Sequence, residues 1–339
     1  GFGRTRLMAT GFFWKGFEPT AGSWDTAHEA KMHAFVDLCQ RHALAPIALI
    51  GRGIPDWAQD PNHPTPPRTG APAGGGSSTP PADAHLDAYG RFLTRLASSF
   101  GRKLADYNTW NEPDGGAQWF TGTPAQMSRI LMMQHGSLKA GNPNATVVAL
   151  GCQRLRNADG TPHSETFLRE VLSNMTPPAS QYFDAMDWHP YRMGDVPTGC
   201  VCVCVSALSI WPLFFSTLFC CCRPDGPDPV QRGVQLMKTH YAAGKPMWNT
   251  EWGYKFASKF APGAASAPSS TATDPDAAHT IYACGGGLES AQDTEELQAI
   301  YYVQQVATVF SNGVDVQFYF NFDEGPMTDR WAFGLAGRN

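Results

Sequence analysis

The chain has 339 residues, 42% of them apolar, and 25 basic against 30 acidic side chains give it a net charge of −5. That apolar share supplies a packed core and excludes a chain that is disordered throughout, and the charge balance, with no basic run, excludes a nucleic-acid footprint. With 34 Gly and 27 Pro it is too rich in turn formers for a helical bundle, and suits a scaffold that carries long loops.

Seven short apolar runs of β type alternate with helical patterns along the chain, the signature of βα units around a parallel sheet. The first run is 6–13. Thr26 and Glu29 then form a candidate capping box, and Met32, Phe35, Val36 and Cys39 repeat at helical spacing. The second run, 45–50, leads into 60–82, a Pro-, Gly-, Ser- and Thr-rich stretch without periodicity that predicts a long loop. A helical stripe follows at Leu86, Tyr89, Leu93, Leu96 and Phe100, and then the third run, 104–110. Thr123 with Pro124 opens a helix through Met127, Ile130 and Leu131 that stops near Gly141. Runs 146–150, 183–189 and 246–250 come next. After a second aperiodic stretch, 257–287, Asp293 and Glu296 start a helix with Leu297, Ile300 and Tyr301, which precedes the seventh run, 314–320. Both long loops follow β runs. In a parallel barrel they lie on the C-terminal face where substrates bind, either as part of the site or as insertions without function.

Asn111-Glu112-Pro113 closes the third run, where proline stops the strand and sets the carboxylate at the sheet's C-terminal rim. Three runs later Thr250-Glu251-Trp252-Gly253 repeats the arrangement. Two acids at two strand ends, both flanked by Trp, match what cleavage of a glycosidic bond requires: one protonates the leaving oxygen and the other attacks or stabilises the anomeric carbon.

The sequence resembles clan A of the retaining glycoside hydrolases, (β/α)8 TIM barrels, and in style is closest to glycoside hydrolase family 39. The motifs that carry the resemblance are Trp110-Asn111-Glu112-Pro113, Trp248-Asn249-Thr250-Glu251-Trp252-Gly253 and Trp188-His189-Pro190-Tyr191. With them go Trp14 to Pro19, Gly22 to Asp25, Pro55 to Ala58, and Phe333-Gly334-Leu335. The resemblance implies a single barrel domain over 1–339 and hydrolysis by double displacement, with Glu112 as acid/base and Glu251 as nucleophile. Asn111 would hold the sugar 2-hydroxyl, and His189 and Tyr191 would orient the Glu251 side. Arg6 is either a buried arginine beside the nucleophile or a surface charge. Trp14, Trp57, Trp119, Trp252 and Trp331 are candidates for stacking on sugar faces or for ordinary packing. No metal and no cofactor is implied. The expected partner is an oligosaccharide, polysaccharide or glycoside, and neither nucleic acid nor a membrane is expected. A secreted and a lysosome- or vacuole-like location both fit.

Two departures accompany the resemblance. Only two β runs precede Glu112 where the family has three, and little chain follows the seventh run, which predicts a barrel lacking its first βα unit and last helix. Residues 200–222 are an apolar stretch of 23 residues without a charge, holding six of the nine cysteines, and Gly1 is not followed by a signal-peptide pattern. The stretch reads as a translated intron, since Val201-Cys202-Val203-Cys204-Val205 is what a GT repeat encodes, as a bilayer-spanning segment, or as a structural insertion. The rival functions are a carbohydrate-binding pseudoenzyme on an incomplete barrel and a membrane-anchored barrel protein.

Overall fold

A computed structural model describes residues 4–7, 10–65, 78–153, 164–176, 178–189, 234–241, 244–251, 310–311 and 313–317. The chain divides into two compact units, and every element and every described site residue below belongs to one of them.

The strands are β1 (Arg4–Leu7), β2 (Ala45–Leu49), β3 (Asp106–Asn108), β4 (Thr146–Cys152), β5 (Ala185–Trp188), β6 (Met247–Asn249) and β7 (Val316–Gln317). They form one parallel sheet in the order β1-β2-β3-β4-β5-β6-β7. Parallel neighbours in sequence order require a crossover at every step, and the helices supply four of them. α2 (Thr26–Arg41) joins β1 to β2, α3 (Leu86–Phe100) joins β2 to β3, α4 (Pro124–Gly141) joins β3 to β4, and α5 (Ser164–Ser173) joins β4 to β5. A single turn, α1 (Trp14–Phe17), precedes α2. Each expected run overlaps one strand.

The sheet buries an apolar layer of Ile47, Val148, Ala185 and Trp248, with Val316 packed against it. On the helix side, Tyr89, Leu93, Leu96 and Phe100 of α3 are buried as their spacing predicts. α4 begins with the expected signal, since Thr123 accepts from the Gln126 amide, Gln126 reciprocates, and Pro124 occupies the first turn.

Three local expectations are corrected. The first run does not continue as a strand to residue 13: β1 ends at Leu7, and Thr10–Phe12 is a 3-10 turn leading into α1. The cap of α2 is Asp25, which accepts from the His28 amide, because an aspartate one residue earlier reaches the free first-turn donors and leaves Thr26 inside the helix. Phe35 is 38% exposed instead of joining Met32, Val36 and Cys39 in the core.

The long loop after β2 has a built neck. Gln59 and Pro81 form an antiparallel bridge, the Asp60 amide donates to the Pro80 carbonyl (2.9 Å), and the Thr65 hydroxyl meets that of Thr79 (2.7 Å) while accepting from the Ser78 amide (3.1 Å). Among the described residues no helix is long and apolar enough to cross a membrane. Residues 200–222 and 257–287 lie outside the described residues.

Candidate active site

Side chains two apart on a strand share a face, so Asp187 and His189, running off the end of β5, point to the same side of the sheet. Their neighbours there are Asn108 from β3 and Thr250 and Glu251 just beyond β6, and these residues are all nearly or wholly excluded from solvent.

Glu112 reaches this group through a turn held in an unusual conformation. Its φ is +49°, in the left-handed region that costs an L-residue energy, and its amide donates to the Gly151 carbonyl (3.0 Å) while its carbonyl accepts from the Gly115 amide (2.9 Å). Gly151 sits in an irregularity of β4, where the register with β5 shifts between Ala149 and Cys152 and both Leu150 and Gly151 have positive φ. A Cβ on Gly151 would lie 2.9 Å from Asp187 Oδ2 and 3.0 Å from His189 Nε2, so only glycine lets β4 pass so close to the site.

His189 is the centre of the cluster and is fully buried. Nδ1 lies 3.1 Å from Glu112 Oε1 and 3.9 Å from Glu251 Oε2, and Nε2 lies 2.9 Å from the Thr250 hydroxyl and 3.5 Å from Asp187 Oδ2. Burial disfavours the imidazolium, but the negative charges of Glu251 and Asp187 and the hydrogen bonds to Asp187 and Glu112 outweigh it, and the His189 pKa is pushed up to about 10. The Glu112 carboxylate also accepts from Gln153 Nε2 (2.9 Å). Gln153 in turn donates its amide to the Asp114 carboxylate, which accepts from the Ser164 hydroxyl as well. Desolvation raises the Asp114 pKa and the nearby Glu112 charge adds to it, against the lowering effect of the Ser164 and Gln153 hydrogen bonds. Burial raises the Cys152 thiol in the same way, so it stays a neutral thiol.

One ligand-type atom from each of Glu112, His189 and Glu251 lies within 4.8 Å of the others, the only such group among the described residues. Both nitrogens of His189 already have hydrogen-bond partners, and a protonated ring repels a cation. The cluster suits a shared proton better than a metal ion.

The other expected site residues fall into three groups. Asn111 is buried next to Glu112, and Arg6 lies in β1. Trp57 is half-buried in the loop after β2, with its indole nitrogen donating to the Glu18 carbonyl (3.1 Å). Trp119 is half-buried beside the turn at Gly115, and the Arg52 guanidinium lies 4.9 Å from its ring centre. Trp14 takes the packing alternative: it is wholly buried among Trp57, Tyr89 and Phe92, and its indole nitrogen donates to Glu18 (2.8 Å), so no face is open to a sugar. Tyr191, Trp252 and Trp331 lie outside the described residues. Asp187, Asn108, Thr250, Gln153 and Asp114 were not singled out as site residues by sequence reasoning. The one signal available was for Asp187, which stands two residues before His189 and therefore on its face.

No family model and no curated protein matches the sequence. Solved structures do match in fold. A family 39 glycoside hydrolase from Bacteroides cellulosilyticus WH2 superposes with a TM-score of 0.55 at 15% identity, over 98% of this chain and 53% of its own. An exo-β-1,4-mannosidase from Opitutaceae bacterium strain TAV5 gives 0.56 at 14%, over 96% and 46%. A family 5, subfamily 18 glycoside hydrolase from Streptomyces cattleya, in complex with Manβ1-4GlcNAc, gives 0.56 at 12%, over 99% and 67%. The chain thus spans about half the length of the first two. What these likenesses show is the fold, that of glycoside hydrolase barrels, of which the described residues form a seven-stranded parallel sheet.

Proposed function

We propose that the chain is a retaining glycoside hydrolase, in which Glu251 attacks the anomeric carbon and Glu112 serves first as acid and then as base. The observation that carries this reading is the spacing of the two acids, whose nearest described oxygens come within 4.8 Å of each other. Retaining enzymes hold the pair about 5–5.5 Å apart for direct attack, whereas inverting enzymes need about 6.5–9.5 Å to admit a water. The order of the sheet supports it too. Glu112 follows β3 and Glu251 follows β6, the same three-strand separation as between strands four and seven of the barrel, so β1 stands in the place of the second strand.

In this mechanism Asn111 holds the sugar 2-hydroxyl, a contact that strengthens as positive charge develops on the ring. Trp57 and Trp119 offer sugar-stacking surfaces at the rim, and Tyr191, Trp252 and Trp331 keep the roles that the resemblance implies. The substrate is an oligosaccharide or glycoside. The test is a panel of 2,4-dinitrophenyl glycosides, followed by trapping with the matching 2-deoxy-2-fluoro sugar and peptide mapping. A glycosyl adduct on Glu251 and a product of retained configuration are expected. An adduct on Glu112, or an inverted product, overturns the assignment.

A further inference from the structure

The hydroxyl of Thr250 has a single hydrogen and two partners, Asp187 Oδ2 at 2.5 Å and His189 Nε2 at 2.9 Å. Asp187 is wholly buried and already takes the Thr250 amide on Oδ1 (2.9 Å) and the Asn108 amide nitrogen on Oδ2 (2.8 Å). A carboxylate that accepts several donors stays ionised and can only accept. The Thr250 hydrogen therefore points at Asp187, its oxygen presents a lone pair to His189, and Nε2 must carry a hydrogen. On the other side of the ring, Nδ1 faces the Glu112 carboxylate.

We propose that Asp187, acting through the Thr250 hydroxyl, is a positioning residue that locks His189 with a hydrogen on Nε2 and so leaves Nδ1 to share one proton with Glu112. The proposal rests on the reading of Glu112 as the acid/base. With Nε2 locked, the shared proton has two resting places: on Nδ1, giving imidazolium beside carboxylate, or on Oε1, giving neutral imidazole beside a carboxylic acid. In the opposite tautomer the ring's only hydrogen would be on Nδ1, and passing it on would leave an imidazolate. The proton balance closes within the reaction. When the Glu112 oxygen–hydrogen bond breaks, the proton goes to the departing sugar oxygen, which keeps the electron pair of its bond to carbon. When water opens the bond between the sugar and Glu251, its proton returns to Glu112. The ionisable groups that act on His189 are Glu112 from the turn after β3, Asp187 of β5 and Glu251 beyond β6, with Asp114 and Cys152 behind them, next to Glu112. Of these, Asp187 alone acts on the Nε2 side.

The test is nitrogen NMR of the whole chain carrying ¹⁵N-histidine, on the wild type, Asp187→Asn and Thr250→Val. In the wild type His189 Nε2 keeps its hydrogen across the titration while Nδ1 exchanges. In Asp187→Asn the pH of proton loss falls by about one unit or more, and the alkaline limb of kcat/KM on an aryl glycoside moves with it. A wild-type ring with a bare Nε2, or an unshifted titration in Asp187→Asn, overturns the lock. If Asp187→Asn does not fold, Thr250→Val breaks the same relay and must also release the Nε2 hydrogen bond. The spectra decide the lock without turnover, so an inactive wild type with the expected spectra would count against the hydrolase reading and not against the lock.

Discussion

Gly151→Ala isolates the contribution of one close approach to the site. The added methyl would sit 2.9 Å from Asp187 Oδ2, 3.0 Å from His189 Nε2 and 3.1 Å from the Trp110 carbonyl oxygen, on a residue whose φ is +36°. The backbone contribution is about 1–2 kcal/mol, the usual cost of a left-handed conformation for a residue with a Cβ. Overpacking contributes about 1–3 kcal/mol more, because none of the three neighbours is the free end of a flexible chain. The expected loss of stability is thus about 2–5 kcal/mol. Gly22→Ala is the control, since Gly22 has a φ of +75° and nothing within 4 Å of the added carbon, so the overpacking cost is absent. Relief of the clash must push Asp187 or His189 outward, and a displacement of about 1 Å in such a group lowers turnover on the order of a hundredfold. Urea denaturation and kcat/KM on an aryl glycoside measure the two effects. If Gly151→Ala is no less stable than Gly22→Ala and retains full activity, β4 does not pass against the site as described.

Three further outcomes follow from the same geometry. Glu251→Ala abolishes turnover, whereas Glu112→Ala loses about 10²–10⁴-fold on substrates with poor leaving groups, keeps activity on 2,4-dinitrophenyl glycosides and responds to azide; equal and unrescued losses would overturn the assignment. The raised pKa of His189 means that its charge stabilises the fold fully below its unfolded value near 6.5, and that this stabilisation is lost as pH rises through about 10. Between those values the denaturation midpoint should fall with a slope that His189→Gln removes, and parallel wild-type and variant curves would contradict it. Trp14→Ala lowers stability by about 3–5 kcal/mol and, in the protein that remains folded, leaves KM unchanged; a raised KM would restore a sugar-binding role to Trp14.

The elements that declared themselves in the sequence are those whose signals are local. The run that leads to Glu112 is stopped by Pro113 and contains β3; Thr123 with Pro124 is a helix start complete in four residues. What escaped is tertiary. Asp187 and Thr250 are separated by 63 residues and meet only because β5 and β6 pair in register, and no short window around either records the other. Leu150 reads as the end of an apolar strand because a positive φ at a leucine leaves no compositional trace. Trp14 follows β1 as a rim tryptophan should, and only the packing of α3 beneath it, through Tyr89 and Phe92, decides that the indole is core.

The neck formed by Gln59, Asp60, Thr65, Ser78, Thr79 and Pro81 fixes where the two ends of the span it encloses stand. Its two stems are joined to each other and, through the Thr121 amide bonded to the Ser78 carbonyl (3.1 Å), to the turn that precedes α4. Doubling the length of a tethered segment costs only about 0.6 kcal/mol in closure entropy. A longer segment strung between Thr65 and Ser78 therefore costs the sheet little in closure entropy, which makes this position a port for grafting new recognition segments onto the scaffold.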